Sequence, residues 1–150
     1  MSELLFKQFE MTRGFFIKGV EAITTEQANI QPEGYKNNIH WHIGHVLTVT
    51  EQFMTGFPQK SEELPVHYLD LFGNGTSPAS WEGNVPPLEE LTEQLNGQLE
   101  RIRKIPAERF NKKLKKPFLG LETFGELANL SLYHESHHLG QIHAMKRLVD

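Results

Sequence analysis

Four long stretches of the chain place apolar residues three or four positions apart. This spacing aligns side chains along one face of an α-helix. The helices predicted in this way cover residues 2 to about 23, 39 to 55, 88 to about 105, and 124 to about 148. Because no stretch alternates as a strand would, the pattern predicts an all-α fold. We expect an up-and-down four-helix bundle.

Residues typical of helix termini stand where these stretches begin. Asn38 can cap the second predicted helix. Thr123 and Glu126 have the spacing of a capping box at the start of the fourth helix. Thr24 and Gln27 have the same spacing, which predicts a short extra helical turn after the first helix.

Two connections differ from ordinary short loops. Residues 59–87 show little helical periodicity and contain seven proline and glycine residues. A connection of this length is unusual in a compact domain and is often functional. We therefore expect it to cross the bundle between the second and third helices and to line part of a site. The second connection carries a basic run that we interpret as a solvent-exposed loop: Lys112, Lys113, Lys115 and Lys116.

The composition is that of one soluble globular domain spanning residues 1–150. Hydrophobic residues make up 38% of the chain and charged residues 23%. The net charge of −4 argues against nucleic acid as the main partner, because phosphate binding requires a basic surface. The sequence shows neither a signal peptide nor an apolar run long enough to span a membrane. We therefore expect a cytoplasmic protein without membrane partners.

Histidine is the residue that points to chemistry. The chain has eight histidines and no cysteine, which excludes disulfides, thiolate metal sites and a cysteine nucleophile. Seven of the histidines fall into two clusters: His40, His42 and His45, and then His134, His137, His138 and His143.

The last predicted helix carries a histidine pair on its inward face. His134 and His138 are four residues apart, so they project from the same side on successive turns. The neighbouring positions on that face resemble a core: Leu127, Leu130, Ser131, Gln141 and Met145. Two buried imidazoles without partners are costly, and a bound metal ion would remove that cost.

His45 occupies a similar inward position on the second predicted helix. Bundles build metal sites from side chains on facing helices, and three protein ligands leave a position open for chemistry. The sequence therefore predicts a metal site formed by His45, His134 and His138. His42 is the alternative third ligand, and His45 could instead be an ordinary core histidine. The remaining histidines are interpreted as surface or loop residues: His40, His67, His137 and His143.

The segment from His134 to His138 also matches the H-E-x-x-H pattern of zinc metalloproteases, in which Glu135 would be the general base. The surrounding sequence fits poorly. Position 141 is glutamine where the extended motif has glycine, and no glutamate follows His138. A metalloprotease is therefore the third and weakest functional hypothesis.

The pattern His134-x-x-x-His138-Leu139-Gly140-Gln141-Ile142, together with His45 in Ile-Gly-His-Val-Leu, resembles the DinB/YfiT-like family. The resemblance covers essentially the whole chain. It implies a four-helix bundle whose metal ligands, carried over by position, are His45, His134 and His138. It also implies a metal-dependent enzyme, either a hydrolase or a transferase that joins a low-molecular-weight thiol to an electrophile. Because this chain has no cysteine, such a thiol would be a cosubstrate.

Three imidazoles accept zinc, nickel, iron or manganese, so the sequence predicts a divalent metal without choosing among these ions. Gln141 is the first candidate for holding a metal-bound water or substrate, with a helix–helix hydrogen bond as its alternative role. Glu135 is the candidate general base, and Asn38 and Gln52 are weaker candidates for supporting the ligands. The rival function is a non-catalytic metal-binding or partner-binding bundle.

A second apolar stripe on the last predicted helix lies away from the histidine pair and contains Leu132, Leu139 and Ile142. Such a stripe requires burial against another subunit or against the crossover connection. On this basis we predict a homodimer.

Overall fold

Helices dominate the computed structural model, which describes residues 2–150. Within these residues there are six α-helices: α1 (Ser2–Glu21), α2 (Thr25–Asn29), α3 (Ile39–Thr55), α4 (Tyr68–Phe72), α5 (Leu88–Arg103) and α6 (Phe124–Val149). Short 3-10 helices cover Pro78–Ser80 and Ala107–Asn111. Two short antiparallel strands precede α6, namely β1 (Lys113–Phe118) and β2 (Leu121–Thr123). The sequence predicted an all-α fold, and the structure is mostly helical, with these two short strands in addition.

The helix termini follow the capping signals of the sequence. The side chain of Asn38 accepts a hydrogen bond of 2.8 Å from the backbone N–H of Trp41 at the start of α3. Gly56 ends this helix in the left-handed conformation, with φ of 74°, which glycine adopts without steric cost. Complete capping boxes begin α2 at Thr24 and α6 at Thr123.

The four long helices pack so that α6 contacts α1 and α3, and α5 contacts the same two helices. Short helices α2 and α4 add further cover to α3. As a result, every residue of α3 from position 39 to position 51 is buried. None of the helices in residues 2–150 combines the length and the hydrophobicity that a membrane span requires. The up-and-down order of the four helices remains a prediction.

A buried polar network links all four long helices. Arg13 of α1, only 2% exposed, donates hydrogen bonds to the carboxylate of Glu135 in α6, the closest at 2.8 Å. Its guanidinium also donates to the carbonyl of Leu95 and to the side chain of Gln98, both in α5. Gln98 in turn donates to the carbonyl of Leu47 in α3. The network therefore couples the position of α6 to the rest of the bundle.

The segment from residue 59 to 87 has more regular structure than its sequence predicted, since it contains α4 and a 3-10 turn. The ring of Phe72, fully buried, lies directly against Gly44 of α3. A Cβ atom at Gly44 would approach this ring to 2.3 Å, so only glycine allows the contact. This close approach brings the end of α4 beside His45.

The basic run is not the loop that we predicted. Lys113 begins β1, which pairs with β2 in a hairpin. The turn residues Leu119 and Gly120 both have positive φ angles, of 51° and 82°, as tight two-residue hairpin turns often require. A short strand rich in lysine and exposed to solvent lacks the apolar alternation by which strands are recognised.

The second apolar stripe of α6 is covered by α1 of the same chain. Ile142 joins a core cluster with Phe16 and Val20, and Leu139 packs against that cluster. Leu132 belongs to the second core cluster, which also contains residues of α1. The stripe therefore no longer supports a homodimer, which stays an untested prediction.

Candidate metal centre

Three histidine side chains converge where α3 and α6 pack together. The Nε2 atom of His134 lies 3.1 Å from Nε2 of His45 and 3.1 Å from Nε2 of His138. One ligand atom from each of the three residues lies within 4.8 Å of the others. The structure thus brings together the three residues that the sequence selected as metal ligands.

His45 is held from two sides. Its Nδ1 atom lies 2.7 Å from the backbone carbonyl oxygen of Phe72, which can only accept, so Nδ1 carries the proton and donates it. The indole ring of Trp41 stacks on the imidazole with centroids 4.3 Å apart. In the neutral imidazole, Nε2 then keeps its lone pair and directs it at the other two histidines.

The ring of His138 contacts the ring of a fourth histidine, His42. The Nδ1 atoms of His42 and His138 are 2.8 Å apart, so one ring donates a hydrogen bond to the other. When His138 donates, its Nε2 lone pair is left free to bind a metal ion, the usual arrangement for a ligating histidine. His42 is thus placed to support a ligand, whereas the sequence offered it as an alternative ligand.

The donor set fits a divalent ion. Nε2 of His134 can donate at most one hydrogen atom, yet it faces two other ring nitrogens. A cation between the three nitrogens would satisfy all three lone pairs. Metal–nitrogen bonds of about 2.0–2.1 Å in tetrahedral geometry separate ligand nitrogens by roughly 3.3 Å, close to the 3.1 Å found here. The Nδ1 atom of His134 is buried and, within residues 2–150, has no hydrogen-bond partner.

The electrostatics keep these imidazoles neutral. Burial, reinforced by the neighbouring histidines, lowers the pKa of His134 to about 4 and that of His138 to about 2. Burial also lowers the pKa of His45, although the carbonyl of Phe72 partly opposes this effect. Burial is also the main reason why the pKa of His42 falls to about 4. All four rings therefore offer lone pairs at neutral pH, as metal ligation requires.

An open cavity of about 760 Å³ reaches the cluster, and both His45 and His134 line it. Gln52 of α3 and Asn74 of the crossover segment provide polar groups on its wall. Pockets of a few hundred cubic ångströms commonly accept small molecules. Two of the three histidines are therefore accessible to a ligand of that size.

Glu135 does not reach this cavity. Glu135 is 2% exposed, and its carboxylate is bound to Arg13 inside the bundle, on the side where α6 meets α1. We therefore do not retain Glu135 as a general base, and the metalloprotease interpretation loses the residue on which it depended.

Gln141 also lies elsewhere. Its side-chain amide is 2.8 Å from Nε2 of the exposed His137, and it does not line the cavity. Helical spacing placed the Cα of Gln141 on the face of the ligands, but its side chain pairs with His137 instead. Of the two weaker candidates, Asn38 serves as the cap of α3, while Gln52 lines the cavity.

The remaining histidines divide into two groups. Three are exposed, as the sequence predicted: His67, His137 and His143. His40, in contrast, is 5% exposed, which corrects our prediction of a surface residue. Its ring nitrogens lie 2.8 Å from the carbonyl oxygen of Pro86 and 3.2 Å from the side-chain oxygen of Asn29. These contacts tie α3 to the end of the segment 59–87 and to the last residue of α2.

The fold and the site together define a helical bundle with a three-histidine cluster suited to a divalent metal ion. Comparison with known proteins agrees with this class. The family model of the DinB superfamily matches residues 8–142, and the chain belongs to this superfamily. The family resemblance read from the sequence is thereby confirmed.

A solved structure supports the fold. It is described as the "conserved protein of locus from Enterococcus faecalis" and superposes with a TM-score of 0.68 at 16% sequence identity. The alignment covers 99% of this chain and 96% of that chain. At this identity the likeness concerns the fold alone. A search of curated proteins gave no match.

Proposed function

We propose that the protein is a metal-dependent enzyme acting on small molecules, with one divalent ion held by His45, His134 and His138. One observation carries the proposal. Ring nitrogens of three buried or half-buried histidines lie within 4.8 Å of one another, and two of the three, His45 and His134, line an open cavity of about 760 Å³. A purely structural metal site is instead closed by a fourth protein ligand.

An ion bound there would supply Lewis-acid activation of a thiol or water molecule. The residues of the chain would hold the ligands and the substrate. Phe72 and His42 fix the rings of two ligands, and the apolar cavity wall holds the body of the substrate. Since the chain has no cysteine, a thiol nucleophile would have to be a cosubstrate. A thiol S-transferase is our leading reaction class, and a hydrolase is the alternative.

Zinc and nickel are the first ions to test, because imidazole suits both of them. Iron and manganese follow. The cytoplasmic location belongs to the proposal and rests on the sequence alone, whereas the homodimer has lost the apolar stripe that suggested it and stays an untested prediction.

The test is a transfer assay with metal-loaded protein, small thiols and a chromogenic aryl halide, run beside the hydrolysis of a nitrophenyl ester. We expect turnover that needs the added metal and disappears in His134→Ala. A matched control, His137→Ala, removes an exposed histidine of the same helix and should remain active. Full activity in His134→Ala would overturn the proposal.

A further inference from the structure

We propose that the cavity beside the histidine cluster binds an organic anion, a small molecule with an acidic group on an apolar body. The inference deepens the proposed function, on which it rests, by naming the class of substrate that the same site accepts. Three observations carry it: the apolar wall, the charge at the cavity and the placement of the hairpin.

The wall of the cavity is mainly apolar and comes from three elements. The residues concerned are Val49 and Phe53 of α3, Leu127 and Leu130 of α6, and Leu114 and Phe118 of β1. The rings of Phe53 and Phe118 meet edge to face, 5.5 Å between centroids, and so join α3 to the hairpin. Such a wall favours an aliphatic or aromatic body over a polar metabolite such as a sugar.

The charged groups of the cavity are all of one sign. Lys60, Lys115 and Lys116 line it, while the lining formed by residues 2–150 includes no aspartate or glutamate. The whole chain has a net charge of −4, so the cavity is positively charged although the chain as a whole is negative. A lysine can lay its methylene chain along an apolar wall while its ammonium group stays in water. An acidic group is therefore stabilised at the lysines while the apolar body lies inside.

The hairpin determines which lysines take part. Pairing between β1 and β2 is irregular between Lys113 and Phe118, and both of the consecutive residues Lys115 and Lys116 border the cavity. Lys112 and Lys113 belong to the same basic run but do not line it. Lys112 and Lys113 therefore serve as a control for the effect of nearby positive charges that do not line the cavity.

The test is isothermal titration of the metal-free protein with 4-phenylbutanoate and with its neutral analogue 4-phenylbutanamide. Omitting the metal ensures that the carboxylate is not bound by the ion. The variants are Lys115→Gln/Lys116→Gln and, as the matched control, Lys112→Gln/Lys113→Gln. Each removes two positive charges, and thermal melts check that each variant is folded.

We expect the parent protein to bind the acid about ten-fold more tightly than the amide, the order that ion pairs with two exposed lysines provide at most. The Lys115→Gln/Lys116→Gln variant should lose this preference and the control should keep it. Equal affinity for acid and amide in the parent, no binding of either, or an equal loss in both variants would overturn the inference. A protein that binds zinc but shows no preference refutes only this inference. A preference without any metal binding refutes only the metal-dependent function.

Discussion

Replacing Arg13 by methionine should reveal how strongly the buried polar network holds the bundle together. The Arg13 side chain is 2% exposed and makes five hydrogen bonds, three of them to the carboxylate of Glu135. The variant would leave the carboxylate buried without its partner and would remove a donor from Leu95 and Gln98. Loss of one member of a buried ion pair typically costs about 3–5 kcal/mol.

The measurement is urea unfolding of the metal-free protein, followed by circular dichroism. We expect Arg13→Met to lower the free energy of unfolding by about 3–5 kcal/mol, a large part of the roughly 5–15 kcal/mol that stabilises a typical domain. Arg103→Met is the control. Arg103 pairs with Glu10 and Glu100 at the surface and is 39% exposed, so its loss should cost less than about 1 kcal/mol.

A double variant separates the ion pair from simple packing. In Arg13→Met/Glu135→Leu both charges are replaced by apolar groups, and most of the lost stability should return. A cost below about 1 kcal/mol for Arg13→Met would refute this account of the network. A double variant that is as unstable as Arg13→Met would do the same. Unchanged metal affinity in the double variant would further place Glu135 outside the site.

Three further predictions follow from the site. His42→Ala should weaken zinc binding by about 10–100-fold in chelator competition, because His138 loses the partner of its Nδ1 atom; unchanged affinity would contradict this. Gly44→Ala forces a Cβ atom against Phe72 and should cost about 1–3 kcal/mol in urea unfolding, so a neutral effect would refute the close packing. The metal-free protein should lose stability as the pH falls below about 6.5, because the folded-state pKa of His134 is depressed to about 4 and the unfolded chain takes up the proton first. A histidine with a depressed pKa contributes at most about 1.4 kcal/mol per pH unit between its folded and unfolded pKa values, and unfolding curves that do not change from pH 7 to pH 5 would contradict the burial of the cluster.

The helices were predictable because their signals are local. Apolar spacing and side-chain caps act within a few residues of the chain. In the structure, Asn38 caps α3 and Thr123 caps α6, as predicted. The three histidines of the cluster could also be predicted from the sequence, because their signal is mainly local. An inward histidine pair four residues apart identifies its own helix face, and His45 was the inward histidine on another helix.

The supporting contacts were not predictable, because they arise from tertiary packing. Nothing near Phe72 in the sequence indicates that its carbonyl meets His45 from 27 residues away. The partner of Glu135 is Arg13, at the opposite end of the chain, so the motif around Glu135 suggested catalysis where the structure shows an internal ion pair. The hairpin was missed because exposed lysines carry no strand periodicity.

The metal content of the protein tests the central claim most directly. Protein without a histidine tag is supplied with zinc or nickel, dialysed without chelators and analysed by mass spectrometry for metals. We predict about one equivalent in the parent and in a His137→Ala/His143→Ala control, and none in His134→Ala/His138→Ala. A parent that stays free of metal, or a His134→Ala/His138→Ala variant that binds as much as the parent, would contradict the three-histidine centre.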